Sequence, residues 1–147
     1  MSKVAKKKII SAFDVVAYIL ANKPKNCLLS AWKLHKLLYY CQTVYIIKEG
    51  CILFHESILA WPKGPAIKEL CKQHYGNVYI GDSSLGNINH LSLKQCDIIH
   101  TVLETYGLKT EDELNSLIFL ETPWKQARNG LDDQTKGPAL SFDSLIN

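Results

Sequence analysis

The sequence lacks any long apolar run. No stretch approaches the roughly 20 consecutive apolar residues that a membrane-spanning helix needs. At the start of the chain the lysines lead into Ile9 and Ile10, and Ser11 then interrupts the apolar residues, which is unlike a signal peptide. We therefore expect a cytoplasmic protein without a membrane partner.

Neither sign of charge dominates the sequence. The net charge is +3, and four of the lysines responsible lie within the first eight residues: Lys3, Lys6, Lys7 and Lys8. The remainder is nearly neutral and lacks the broad basic face that neutralises nucleic-acid phosphates, which argues against nucleic acid as a partner. The pattern predicts a flexible basic tail over residues 1–10 and a single domain over residues 11–147.

The cysteines and histidines offer little sign of a disulfide framework or a metal site. The five cysteines are odd in number and widely spaced, which favours reduced thiols. Cys71 with His74, and Cys96 with His100, provide zinc-type ligands, but each pair lies inside a predicted helix and not in a zinc knuckle. We therefore predict no metal and no cofactor.

Motifs for catalysis and for phosphate binding are also missing. The sequence contains neither G-x-G-x-x-G, nor a P-loop, nor G-x-S-x-G. Three adjacent carboxylates, Glu111 to Glu113, fall in the first turn of a predicted helix, where negative charge is favourable. We predict that the chain is not an enzyme. A small enzyme with a spatially assembled site, or a nucleic-acid-associated regulator, is the alternative.

Apolar residues make up 47% of the chain and charged residues 21%, which indicates a folded globular domain. The pattern predicts a central helix over Ser30–Glu49, closed by Gly50, because apolar residues cover most of its circumference. Cys51–Phe54 and Ile58–Trp61 are interpreted as a short β-hairpin. The predicted fold is mainly α, a compact helical domain around the central helix with this small β-hairpin.

Capping signals place the remaining helices. Ser11 begins the first helix, and Gly64-Pro65 is expected to begin a third, with proline at the first helical position. Ser92–Gln95 and Thr110–Glu113 are capping boxes that begin two more helices, and Thr122-Pro123 begins a short last one.

Two surface features are candidates for binding another protein. The predicted central helix carries three residues at one-turn spacing, Trp32, Lys36 and Tyr40. They form an aromatic–cation–aromatic ridge of the kind found at binding hot spots. The corner from Ala60 to Pro65, which contains Trp61 and Lys63, is fixed by two prolines and a glycine. The alternative for both features is purely structural packing of the aromatic rings.

Several segments, in this order, resemble the GepA-like, phage- and mobile-element-associated family that carries the Panacea antitoxin domain and includes the SocA type. The segment Ser30-Ala-Trp-Lys-Leu-His-Lys-Leu-Leu-Tyr-Tyr-Cys-Gln42 is similar to the family pattern S-x-x-K-L-Q-K-L-L-Y-Y-A-Q. Further matches are Ala60-Trp61, Gly64-Pro65, Tyr75-Gly76, Tyr106-Gly107 and Glu121-Thr-Pro-Trp-Lys-Gln-Ala-Arg128.

The resemblance implies an antitoxin that binds and silences a cognate protein toxin, and the SocA type implies a proteolytic adaptor for a ClpXP-type protease. Two positions depart from the pattern: His35 replaces a glutamine, and Phe119 replaces a histidine two residues before Glu121. The sequence leaves self-association into a homo-oligomer open. The predicted partner-binding residues are Trp32, Lys36, Tyr40, Trp61, Lys63, Trp124 and Arg128.

Overall fold

The computed structural model describes residues 8–24, 29–80 and 85–146, and it is mainly helical. The helices are α1 (Ala12–Asn22), α2 (Ala31–Glu49), α3 (Lys68–His74), α4 (Leu93–Tyr106), α5 (Glu111–Ile118) and α6 (Thr122–Arg128). The strands β1 (Leu59–Trp61) and β2 (Gly64–Ala66) form one antiparallel pair. No helix among these described residues is long and apolar enough to cross a membrane.

Helix α2 is the centre of the domain, as predicted. Thirteen of its nineteen residues are buried, and α1, α4, α5 and β2 all pack against it. Ser30 caps its first turn by accepting a hydrogen bond from the Lys33 amide at 3.1 Å. Gly50 ends it in the left-handed conformation at φ 76°. The mainly α fold with a minor β component is therefore confirmed.

The other predicted helix starts are also largely confirmed. Ser11, Ser92 and Thr110 cap α1, α4 and α5, and each is part of a complete capping box. Pro123 lies in the first turn of α6, where its missing amide hydrogen leaves no bond unmade.

The position of the β-hairpin was predicted wrongly. Its strands are β1 and β2, joined by Pro62 and Lys63, so Gly64 and Pro65 lie in a strand and do not begin a helix. Helix α3 begins only at Lys68. Gly64 enables the tight turn because its φ of +133° is one that other residues rarely adopt.

The other predicted strand, Cys51–Phe54, does not pair with β1 as predicted, and on one side a side chain takes the place of a partner strand. The Gln42 amide donates to the Phe54 carbonyl at 2.9 Å, and its oxygen accepts from the Leu53 amide at 2.8 Å. Ile10 forms a parallel bridge with Phe54 on the other side and is buried, although the prediction placed Ile10 in the flexible tail. The rest of the predicted tail, residues 1–7, lies outside the described residues.

Replacing Gln42 by leucine is expected to lower the free energy of unfolding by about 2 kcal/mol, because it leaves buried backbone groups of Leu53 and Phe54 without partners. Urea denaturation of the purified variant measures this loss. Gln73→Leu on the exposed side of α3 is the control and should change stability by less than about 0.5 kcal/mol. Equal effects of the two substitutions would contradict the role assigned to Gln42.

Candidate functional site

An open cavity of about 650 Å³ lies where α2, the β-hairpin and α5 meet. Its size is typical of ligand-binding pockets. Four of the seven predicted binding residues line it, although they come from two separate segments of the chain. The lining residues are Trp32, Lys36, Trp61, Pro62, Lys63, Gly64, Glu111, Asp112, Asn115, Phe119, Gln134 and Lys136.

Lys36 is a buried residue in the lining of this cavity. Its side chain is 2% exposed, and its ammonium donates to the Trp32 carbonyl oxygen at 3.4 Å. The nearest carboxylate oxygen, on Glu111, is 4.0 Å away. Burial lowers the pKa of Lys36, and the neighbouring Glu111 and Asp112 carboxylates only partly offset this effect.

Gly64 brings the hairpin close to Lys36 and α5. A Cβ atom at this position would lie 2.7 Å from Asn115 Oδ1 and 3.3 Å from Lys36 Nζ. The Asn115 amide donates to the Lys63 carbonyl at 3.0 Å, whereas its buried Oδ1 has no hydrogen-bond partner among the described residues. The close approach therefore places a buried ammonium and an unpaired buried oxygen against the same glycine.

The aromatic walls of the cavity are held in place by neighbouring side chains. The Lys136 ammonium lies over the Trp61 ring, 4.3 Å from its centre, in a cation–π contact. Trp32 stacks on the buried His35 ring with 4.6 Å between centres and is itself 37% exposed. Both tryptophans thus present ring surface to the cavity in fixed orientations.

Trp124 and Arg128 line a second cavity of about 550 Å³, which shares Pro62 and Phe119 with the first. Trp124 is 5% exposed and stacks on Phe119 with ring centres 5.0 Å apart. The Arg128 guanidinium donates to the backbone oxygens of Ala60, Asp132 and Thr135. These bonds hold the loop after α6 against β1, so much of the donor capacity of Arg128 is already used.

The prediction that three residues of α2 form an exposed ridge is wrong for two of them. Lys36 and Tyr40 are each 2% exposed, and only Trp32 reaches the surface. The prediction assumed that one side of α2 faces solvent, but the hairpin, α5 and the start of α6 cover that side. Tyr40 stacks on Tyr106 at 3.8 Å between centres and lines neither of the two cavities.

Glu121 joins two tyrosines of α2 to the start of α6. One carboxylate oxygen accepts from the Tyr39 hydroxyl at 2.7 Å, and the other accepts from the Tyr40 hydroxyl at 2.9 Å. Burial raises the pKa of both phenols, and the bonds to Glu121 raise it further. The pair therefore stays protonated and acts as a structural clamp, a role that sequence reasoning missed.

The two candidate zinc pairs do not come together, but Cys71 and His74 lie beside His35. The two histidine Nε2 atoms are 2.9 Å apart, and Cys71 Sγ is 3.9 Å from His35 Nε2. His35 was missed as a member of this group because it lies on α2, far away in the sequence. Its ring also stacks on Trp32, three residues earlier on the same helix.

The hydrogen bonding of His35 disfavours a metal at this cluster. Its Nδ1 accepts a hydrogen bond from the Ile67 amide at 3.0 Å, so a neutral ring carries its proton on Nε2 and donates it to His74. A metal on His35 Nε2 would require that position to be unprotonated. Burial also raises the pKa of the Cys71 thiol, which disfavours the thiolate needed for metal binding or nucleophilic attack.

One family model matches most of the chain. It is described as antitoxin SocA-like, Panacea domain, and it matches residues 34–125. The match runs from α2 to α6 and includes the hairpin, Glu121 and most of the residues that line the first cavity. No curated protein and no solved structure matches the chain. Since the model covers more than half of the sequence, the chain belongs to the SocA-like antitoxin family and carries its Panacea domain.

Proposed function

We propose that this protein is the antitoxin of a toxin–antitoxin pair and that it neutralises a cognate protein toxin in the cytoplasm by binding it directly. The contact surface in this proposal is the Trp32–Trp61 face, defined as the residues that line the two adjoining cavities. The carrying observation is that Trp32, Trp61 and Lys63, from separate segments, converge on one open cavity.

The chemistry of this face suits protein recognition. Tryptophan is enriched among the residues that dominate binding energy at protein interfaces, and Trp32 and Trp61 both line the first cavity. Stacking and cation–π contacts fix Trp32, Trp61 and Phe119 before any partner arrives. Less conformational entropy is then lost on binding, which raises affinity for a given contact area.

Charge favours a protein over a nucleic acid at this surface. Lys36, Lys63 and Lys136 lie in the first cavity together with Glu111 and Asp112. A phosphate backbone would meet both carboxylates, whereas a protein surface can present charges of both signs. We therefore assign the face to a protein partner.

Co-expression with the toxin encoded by the neighbouring gene tests the proposal. The unaltered protein should restore growth, and Trp61→Ala should weaken binding of the purified toxin by about 30-fold, the effect typical of a hot-spot tryptophan. Tyr75→Ala is the matched control, because Tyr75 is 89% exposed and lines neither cavity. Full affinity and full growth protection by Trp61→Ala would contradict the assignment of this face.

A second experiment separates occlusion of the toxin from delivery to a protease. We propose that binding alone blocks the toxin, so a purified equimolar complex should show no toxin activity when no protease is present. Growth rescue that disappears in cells without a ClpXP-type protease, together with an active toxin in the purified complex, would instead identify a proteolytic adaptor.

A further inference from the structure

The buried ammonium of Lys36 has fewer partners than its chemistry requires. A lysine ammonium has three N–H donors, and a buried charge is costly unless it is paired and hydrogen-bonded. Lys36 donates to the Trp32 carbonyl at 3.4 Å and lies 4.0 Å from Glu111. Both distances are at the outer limit for such contacts.

Glu111 is not positioned to complete this pairing. Its other carboxylate oxygen accepts a short hydrogen bond of 2.6 Å from the Ser30 hydroxyl. Ser30 in turn caps α2 by accepting from the Lys33 amide. A closer contact between Glu111 and Lys36 would pull the carboxylate away from this capping arrangement, while the carboxylate is also 44% exposed to water.

The side chains that line the cavity carry one more positive charge than negative charges. Lys36, Lys63 and Lys136 line it against two carboxylates, Glu111 and Asp112. Lys63 is exposed at the surface, whereas Lys36 is buried. A single anionic group that reached Lys36 would balance the charge and use its free donors.

We propose that the cavity receives an acidic side chain of the toxin, whose carboxylate pairs with Lys36 Nζ. This inference rests on the proposed function and adds the chemistry of the central contact. Trp32, Trp61 and Phe119 supply apolar walls for the methylene groups of such a side chain, which favours glutamate over the shorter aspartate. Glu111 and Asp112 would repel a segment that carries several adjacent negative charges.

A double-mutant cycle between the two proteins tests this pairing. In this protein Lys36 is replaced by methionine, which is one atom shorter but similar in shape and carries no charge. In the toxin each aspartate and glutamate is changed in turn to asparagine or glutamine. Lys36→Met should weaken binding about 30-fold, one toxin variant should do the same, and the two changes together should cause no further loss.

One control variant and one replacement variant complete the experiment. Lys72→Met, on the exposed side of α3 and outside the cavity, should leave affinity within about twofold. Lys36→Gln, which keeps a polar tip, replaces Lys36→Met in the cycle if urea denaturation shows that the methionine variant does not fold.

The proposal is overturned if every acidic toxin variant adds independently to Lys36→Met. A further toxin variant carries a short C-terminal tail, which displaces the C-terminal carboxylate. The proposal is also overturned if this is the only toxin variant that couples to Lys36→Met, because the anion would then be the chain end. Either result leaves the proposed function standing as long as Trp61→Ala still weakens binding. If Trp61→Ala also leaves binding unchanged, the assignment of the Trp32–Trp61 face is refuted as well.

Discussion

Replacing Glu121 by alanine is expected to lower the free energy of unfolding by about 4 kcal/mol. The substitution removes a carboxylate that accepts hydrogen bonds from the Tyr39 and Tyr40 hydroxyls at 2.7 and 2.9 Å. Both tyrosines are almost fully buried, so their hydroxyls would lose charged acceptors inside the domain. Hydrogen bonds to charged groups contribute about 1.5–3 kcal/mol each, and two are lost here.

Urea denaturation of purified protein measures this effect, with Glu104→Ala as the control. Glu104 is an exposed residue of α4 whose carboxylate lies 3.7 Å from the His100 ring, so its loss should cost less than about 0.5 kcal/mol. When Tyr39 and Tyr40 are both phenylalanine, Glu121→Ala should cost less than about 1 kcal/mol. An undiminished cost in that background would show that the clamp is not the source of the stability.

The clamp explains why the family resemblance predicts the fold well. Tyr39, Tyr40 and Gln42 belong to the segment that resembles the family pattern, and Glu121 belongs to another matching segment. In the structure the tyrosines bond to Glu121, while Gln42 pairs with the chain after α2. These residues fix the positions of distant elements, so recognising them indicates the architecture more directly than it indicates the partner.

Local signals were sufficient for most of the helices. Capping by Ser11, Ser92 and Thr110 depends on a side chain and on amides within three residues of it, so the pattern can be recognised in the sequence. The end of α2 at Gly50 is equally local, because the left-handed conformation is a property of the glycine itself.

The hairpin was misplaced because distant residues decide which of the short apolar segments pair as strands. Cys51–Phe54 and β1 have similar apolar patterns, but the first segment pairs with the Gln42 side chain and with Ile10. The position of β1 is also fixed from the other side, since the Ala60 amide and carbonyl bond to Pro138 and Gly137. None of these long-range partners can be identified from the spacing of apolar residues alone.

The site was predicted in part for a similar reason. Trp61 and Lys63 were singled out by their rigid turn, and Trp32 by its place on α2, but nothing local indicated that these segments meet at one cavity. Lys36 was expected to be exposed because a helix often leaves one side to solvent. Here the hairpin closes over that side through Gly64, and a lysine becomes buried in spite of its charge.

His35, the neighbour of Lys36 on α2, is expected to make the free energy of unfolding depend on pH. His35 is buried beside His74 and Lys36, and burial followed by these two groups lowers its pKa from 6.5 to about 3. As the pH falls below 6.5, the unfolded chain takes up a proton that the folded protein binds only near pH 3. The unfolded state therefore binds more protons in this range, and the protein loses stability as the medium becomes more acidic.

The expected slope approaches about 1.4 kcal/mol per pH unit below the unfolded pKa, which amounts to a loss of about 2 kcal/mol between pH 6.5 and pH 4.5. Burial also lowers the pKa of His74, which acts in the same direction. Above about pH 7.5, roughly one unit above the unfolded pKa, the contribution of His35 is fully present and should not change with pH. Urea denaturation at several pH values across this range measures the slope.

Replacing His35 by glutamine isolates the effect. A glutamine side chain can accept from the Ile67 amide and donate to His74, as the histidine does, but it does not titrate. The slope of stability against pH should therefore become flatter in His35→Gln and should be unchanged in His55→Gln, because the His55 side chain is 66% exposed. Parallel slopes in His35→Gln and the unaltered protein would show that the acid sensitivity arises elsewhere. The neutral His35–His74 pair would then not be the acid-sensitive element of the core.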